Sequence, residues 1–225
     1  NIFLKEWMAL IESKSGERGI FNREAAKKQV EKLGDRRDNN YNFGTNPCSE
    51  IILRDKEFCN LTEVVVRPED TPKTLKEKVR LATVLGTWQA TLIDFRYLSK
   101  EWKSNCEEEA LLGVSLTGIM DNQYTNGTYG KDKSYQSYQT QVPGLLRELK
   151  LIAIETNKKV AKQLGINPSA AITCVKPSGT VSQLVDAASG IHTRHAPYYI
   201  RTVRGDKKDP ICQFMVENNI PYEED

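Results

Sequence analysis

The sequence has few of the features that assign a function at a glance. Its five cysteines, at 48, 59, 106, 174 and 212, include no Cys-x-x-Cys pair. Neither a zinc site of ordinary spacing nor a secreted disulfide framework is therefore expected, and a reducing cytoplasm is the default compartment. No apolar run approaches the ~20 residues of a membrane span and no signal peptide is visible, so no membrane partner is expected. Charge of one sign is also missing. Against 32 basic residues stand 30 acidic ones, a net +2, too little for the broad positive field that marks a nucleic-acid binder. The Gly-Lys-Ser/Thr ending of a Walker loop is absent. There is no initial Met: the chain opens on Asn1 inside a helical pattern and ends at Pro221-Tyr222-Glu223-Glu224-Asp225 without a clear stop. It reads as an internal piece of a longer protein, truncated at both ends. At 225 residues and 39% hydrophobic, it suffices for one large domain or part of one.

What is present centres on Thr45-Asn46-Pro47-Cys48-Ser49-Glu50. An amide, a thiol and a carboxylate occupy alternate positions, and in an extended backbone residues two apart face one side. Asn46, Cys48 and Glu50 would then project into a common space. Pro47 has no N–H for a central ladder, which places the segment on a loop or strand end. A surface turn with Cys48 as a small buried hydrophobe is the plainer alternative. The next stretch bears on that choice. Apolar Ile51-Ile52-Leu53 leads through Arg54-Asp55-Lys56-Glu57 to Phe58-Cys59-Asn60-Leu61, so a second cysteine follows the first by 59 − 48 = 11 positions. A polar run between apolar ones reads as a hairpin-like excursion that returns Cys59 toward Cys48.

A second segment combines a short apolar strand, 170–175, with Lys176-Pro177-Ser178-Gly179-Thr180-Val181 and a helix start. Free N–H groups and hydroxyls at such a turn suit phosphate oxygens, although Ser or Thr at an N-cap needs no ligand.

The remaining pattern alternates helices with short strands. Helices are expected over 2–13, 23–33, 73–98, 99–112, 143–163 and 211–217, with Thr71 and Pro72 opening the third. Strands are expected near 51, 64, 114, 172 and 200, an α/β arrangement. Leu75, Val79, Leu81, Ala82, Leu85, Trp88, Leu92, Phe95 and Leu98 read as one broad core face. Segment 123–141 reads as loop, with Pro143 opening the helix after it. Glu107, Glu108 and Glu109 read as a solvated side, Cys106 as structural and Cys212 as buried. Glu17 and Arg18, in a glycine-flanked turn, are assigned no chemistry. His192 and His195 lack flanking ligands at metal spacing, so no metal is expected.

The Asn-x-Cys-x-Glu pattern, followed by Phe58-Cys59-Asn60-Leu61-Thr62-Glu63-Val64, resembles the radical site of ribonucleotide reductases. The wording is closest to their class II, adenosylcobalamin-dependent branch in its single-chain, triphosphate-reducing form. Ala188-Ser189-Gly190-Ile191-His192 resembles family text too. The resemblance implies that 1–225 is roughly half of a ten-stranded α/β barrel, with the cysteine on a loop entering it. It implies a thiyl radical at Cys48 that takes the ribose 3′-hydrogen, Glu50 as general base on the 3′-hydroxyl, and Asn46 holding the sugar hydroxyls. Cys59 would supply reducing equivalents with a partner cysteine upstream of Asn1. Ser178, Gly179, Thr180 and the Val181 backbone would hold substrate phosphates. Adenosylcobalamin is the implied cofactor, a ribonucleoside triphosphate the substrate, and thioredoxin or a similar dithiol the reductant. A deoxynucleotide effector would bind outside this chain. Tyr198 and Tyr199 read as strand residues, since class II enzymes make the radical beside the cysteine. A class I-type diphosphate reductase segment and a phosphate-binding fragment without catalysis are the alternatives.

Overall fold

A computed structural model of the chain describes residues 1–14, 19–34, 36–130, 135–200 and 202–223, with side chains for all of these except 135–140. The expected turn carrying Glu17 and Arg18 lies outside the described residues. The chain divides into two units, residues 1–193 and 194–225.

In the first unit the β-branched run at 64–66 forms a strand, as its composition requires. β3 (Asn60–Val65) lies parallel to β4 (Leu112–Thr117), with Leu61 opposite Gly113 and Val64 opposite Leu116. Parallel neighbours need a crossover, here α3 (Pro72–Gln89) followed by α4 (Lys100–Glu109). After β4 and a short 3-10 turn at Ile119–Asp121, α5 (Tyr135–Leu164) returns the chain to the sheet. Segment 171–174 then runs along the other edge of β4: the Leu112 and Val114 N–H groups donate to Ala171 and Ile172, and the Cys174 N–H donates to Val114. The result is a β-α-β-α-β succession with sequential parallel neighbours. Val64, Leu112 and Val114 pack with Leu75, Val79 and Ala82 of α3 and with Leu149 and Ala153 of α5. Asn157 joins α5 to α3 and to the segment before 171: its amide donates to Thr87 Oγ1 (3.0 Å) and Ser169 Oγ (2.9 Å) and accepts from the Ser169 N–H (2.8 Å).

Ahead of this succession, α1 (Ile2–Ser13) buries none of its residues. α2 (Arg23–Glu31) starts at Asn22, whose side chain accepts from the Ala25 N–H. It packs Ala26 and Val30 on Phe43 and Ile52. Phe43 precedes a small antiparallel hairpin, β1 (Gly44–Thr45) with β2 (Ile52–Leu53).

Several expectations need correction. α3 ends at Gln89, not near 98. The Thr91 hydroxyl takes the Trp88 carbonyl at 2.7 Å, a local bond that competes with continuation of the helix. Its apolar stripe is not one buried face either: Leu81, Leu85, Trp88 and Leu92 are exposed, because the sheet and α5 cover only the Leu75–Val79–Ala82 side. α4 stops at Glu109, and Leu112 already belongs to β4. Pro143 lies inside α5 instead of opening it; the proline is exposed, so the ring displaces no packed neighbour where it interrupts one helical bond. In the second unit, residues 198–200 and 202–204 form no strand, and Tyr198 and Ile200 are almost fully exposed. α7 (Pro210–Glu217) is capped by Asp209 as its Asp-Pro start suggests. Cys212 is half-buried, against the backbone of Gly205.

Candidate active site

The hairpin between β1 and β2 presents residues 46–51, so the loop placement of the Asn-Pro-Cys-Ser-Glu stretch holds. Its conformation is not the extended one expected from the alternation. The Ser49 N–H donates to the Asn46 carbonyl at 2.9 Å and Ser49 takes φ 61°, closing a turn over Pro47 and Cys48. The loop is tied off internally. The Thr45 hydroxyl donates to the Ile51 carbonyl (2.9 Å) and the Ile51 N–H donates to Asn46 Oδ1 (3.1 Å). Cys48 is exposed at the tip, while the Glu50 side chain is only 1% exposed.

Glu50 Oε1 pairs with Lys176 Nζ at 3.0 Å; Oε2 is buried with no hydrogen-bond partner. Burial by itself would raise the carboxyl's pKa. The bond to Lys176, the Glu50 N–H, the Asn46 side chain and the Lys176 charge together outweigh that, and the pKa lies below its ordinary value. Lys176 is correspondingly raised, first by its bond to Glu50, with Cys48 and Glu63 within electrostatic reach. Asn46 and Glu50 are thus brought together around Lys176, a residue to which the sequence reading gave no role. The only sequence signal for it is a lysine at a strand end, immediately before the Pro-Ser-Gly turn.

Cys59 lies just before β3 and is half-buried. Its thiol pKa is pushed up by burial, then by Cys174, Glu57 and Glu50, which places it in the same neighbourhood as the base. Cys174 is pushed up to about 12, by burial and then by Glu50. Both thiols are held protonated near neutrality. On this side of the sheet, Glu63 carries both carboxylate oxygens buried without partners, and Ser115 Oγ likewise.

The Lys176–Val181 turn borders the cluster. Ser178 and Gly179 both take positive φ before the short helix α6 (Thr180–Leu184). The Gly179 and Val181 N–H groups donate to Pro177 and Ser178 carbonyls, so these two are already used within the turn. Ser178 Oγ is buried and unpartnered, and Thr180 is exposed. The turn is clamped from behind. The Ser189 hydroxyl donates to the Pro177 carbonyl (2.8 Å) and the Gly190 N–H to Thr117 Oγ1 (3.0 Å).

A buried ionic cluster, also missed by the sequence reading, anchors the hairpin from below. Arg37 Nε lies 2.8 Å from Glu109 Oε2, and Arg54 Nε lies 3.6 Å from Glu57 Oε1 and 3.5 Å from Glu109 Oε1. Arg54 also meets Glu108 at 3.0 Å, and its N–H donates to Glu57 Oε2 at 2.9 Å. Arg37 donates to the β2 carbonyl of Ile52 at 2.7 Å. Glu109 is therefore buried, not on a solvated side, whereas Glu108 remains open. Cys106 is buried beside the cluster, as expected, and accepts from the Phe58 N–H.

Burial first, and then Glu109, push the Glu57 pKa from 4.5 up to about 8. Between those two values the folded chain holds a proton that the unfolded chain releases, so stability falls as pH rises across the window. The thermal midpoint of the intact protein should decline between about pH 5 and about pH 8, and Glu57→Gln should flatten that decline. Equal slopes in both proteins would remove Glu57 as its source.

No family model matches the sequence. Similarity to individual proteins is clear. An adenosylcobalamin-dependent ribonucleoside-triphosphate reductase of Lactobacillus helveticus is 32% identical over 199 residues, covering 79% of this chain and 26% of that protein. The protein of the same description from Lactobacillus acidophilus is 30% identical, over 77% of this chain and 25% of its own length. The Lacticaseibacillus paracasei protein matches 95% of the chain at 29% identity and 31% of its own length. Among solved structures, a B-12 dependent (class II) ribonucleotide reductase superposes with a TM-score of 0.53 at 26% identity, over 66% of this chain and 22% of that one. The chain thus spans about a quarter to a third of the length of the curated relatives it matches. Over the matched stretch its sequence is similar to adenosylcobalamin-dependent ribonucleoside-triphosphate reductases, and its α/β fold to a class II ribonucleotide reductase.

Proposed function

We propose that this chain is part of the catalytic barrel of an adenosylcobalamin-dependent ribonucleotide reductase acting on ribonucleoside triphosphates, and contributes about half of a ten-stranded barrel. The observation that carries the reading is the pairing, on one hairpin loop, of an exposed thiol with a buried, ionised carboxylate that has a free oxygen. Cys48 at the tip is reachable by a radical source and by substrate. Glu50, held ionised, is ready to accept a proton through Oε2. Sequence similarity to enzymes named for this reaction adds support independent of that geometry.

The residues divide the work. Removing a ribose 2′-hydroxyl is hard for acid–base chemistry alone, and adenosylcobalamin, when bound, supplies the one-electron chemistry. An accessible Cys48 fits that requirement. As a thiyl radical the Cys48 sulfur would take the 3′-hydrogen as an atom and return it at the end of the cycle, Glu50 Oε2 takes the 3′-hydroxyl proton, and Asn46 holds the sugar hydroxyls. Cys59, with an upstream cysteine partner, returns two electrons and two protons as the 2′-hydroxyl leaves as water. Its raised pKa favours donation of hydrogen over attack as a free thiolate. Ser178, Gly179, Thr180 and Val181 form the turn that meets the phosphates, through the Ser178 and Thr180 hydroxyls. The reductant is thioredoxin or a similar dithiol, and the deoxynucleotide effector binds elsewhere in the protein.

The test is deoxynucleotide formation by the intact protein with adenosylcobalamin, a ribonucleoside triphosphate and a dithiol. A rapidly frozen sample should also show a paramagnetic signal that depends on the Cys48 sulfur. Nucleotide binding without product or signal would favour a phosphate-binding segment instead. Cys59→Ser should block multiple turnover while leaving radical formation, read by comparing steady-state product with the paramagnetic signal. Unchanged steady turnover would make Cys59 structural.

A further inference from the structure

A buried carboxylate that serves as a base must be kept charged and aimed, and the residue that does so here is outside the hairpin. Lys176 reaches Glu50 from 126 positions away and binds Oε1 at 3.0 Å, its own side chain 24% exposed. Its backbone is fixed on two sides. The Cys174 N–H donates to Val114 of β4 at 3.1 Å, and Ser189 and Gly190 press on the Lys176–Pro177 peptide from the other side. With Oε1 occupied, Oε2 is the one Glu50 oxygen that is buried and unpartnered.

We propose that Lys176 is the positioning residue for Glu50, holding Oε1 so that Oε2 alone is presented to a substrate hydroxyl. This deepens the reductase reading and rests on it. In the step concerned, the hydroxyl proton moves to Oε2 and the electron pair of the O–H bond stays on the ribose oxygen. Lys176 is not consumed and keeps its charge throughout.

The surroundings explain why a fixed cation is needed. Besides Lys176, the groups facing Glu50 are Asn46 on its own loop, Cys59 before β3 and Cys174 of segment 171–174. Glu63 of β3 and Cys48 lie within electrostatic reach of Lys176, and Glu63 of Cys174. Removing Lys176 leaves the buried Glu50 carboxylate without the cation that bears on it. Burial then favours its protonated form, and a protonated Glu50 cannot act as base.

The experiment uses the intact protein and three variants, Lys176→Gln, Lys176→Arg and Lys176→Met. Isotope-edited infrared spectra, with Glu50→Gln subtracted to assign the band, report Glu50 ionisation against pH independently of turnover. Lys176→Gln should move Glu50 titration and the acid limb of kcat to higher pH. It should also lower neutral-pH kcat by up to about 100-fold, the lower end of what a general base contributes, and change the triphosphate KM far less. Lys176→Arg should restore the profile. Lys176→Met, which keeps the stem's packing, replaces Lys176→Gln if that variant does not fold. Unmoved Glu50 titration in a folded Lys176→Gln or Lys176→Met protein would overturn the proposal, whatever the activity. If titration moves as expected but even the unsubstituted protein reduces no ribonucleotide, positioning stands and the reductase reading falls.

Discussion

Cys48→Ser in the intact protein is expected to end deoxynucleotide formation. The loss should be on the order of a millionfold, the scale seen when the residue carrying the reacting atom is removed. An oxygen in place of sulfur keeps the volume and the turn, but not a bond to hydrogen weak enough to be broken and remade in each cycle. Stability should barely change. Cys48 is exposed at the tip of the 46–51 loop, and the loop is tied by Thr45, Asn46, Ser49 and Ile51, none of which uses the sulfur. Surface substitutions of this kind stay within about 0.5 kcal/mol. The measurement is a pair: product by chromatography and a thermal midpoint. Retained turnover in a protein of unchanged stability would remove Cys48 from the chemistry.

The second large effect is structural. Glu109→Ala should destabilise the protein by up to about 3–5 kcal/mol, because the buried Arg37 and Arg54 guanidiniums lose one of the two carboxylates they share, Glu57 being the other. Glu108→Ala makes the comparison. Its carboxylate also pairs with Arg54, but it is 58% exposed, and an exposed pair contributes about 0–1 kcal/mol. Denaturant titration of the two variants should separate them clearly. Equal, small losses would mean that water reaches the cluster and that the hairpin is not held from below. Because Arg37 bonds the β2 carbonyl of Ile52, loss of Glu109 should also loosen the loop that carries Asn46, Cys48 and Glu50.

The contrast between 108 and 109 shows what the sequence could reveal. The loop placement of 46–51 was legible because Pro47 has no N–H to give a central ladder. The β3–α3–β4 succession was legible from a β-branched run, a Thr-Pro helix start and an apolar period. The ionic cluster was not. Arg37, Arg54, Glu57 and Glu109 sit in polar runs with no period, and nothing local tells which member of Glu107, Glu108 and Glu109 turns inward. That depends on where α4 ends, at Glu109 itself. The exposed Leu81, Leu85, Trp88 and Leu92 show the converse: helical spacing marks a possible apolar face, while the width of the covering layer decides how much of it is buried. Lys176 was hidden for a third reason. Its partner is brought to it only when the hairpin folds back over segment 171–174, and no spacing encodes that approach.

Gly190 carries a lesson for anyone scanning this protein by saturation mutagenesis. A Cβ there would stand 2.8 Å from the Lys176 carbonyl, at a φ of 53° that favours glycine. Every side chain at this position would displace the peptide from which Lys176 reaches Glu50. In a fitness map, row 190 should therefore be as dark as row 50, although the residue contributes no functional group. What is selected at 190 is vacant volume, and a reader of such a map who equates intolerance with chemistry would assign a catalytic role to an empty space.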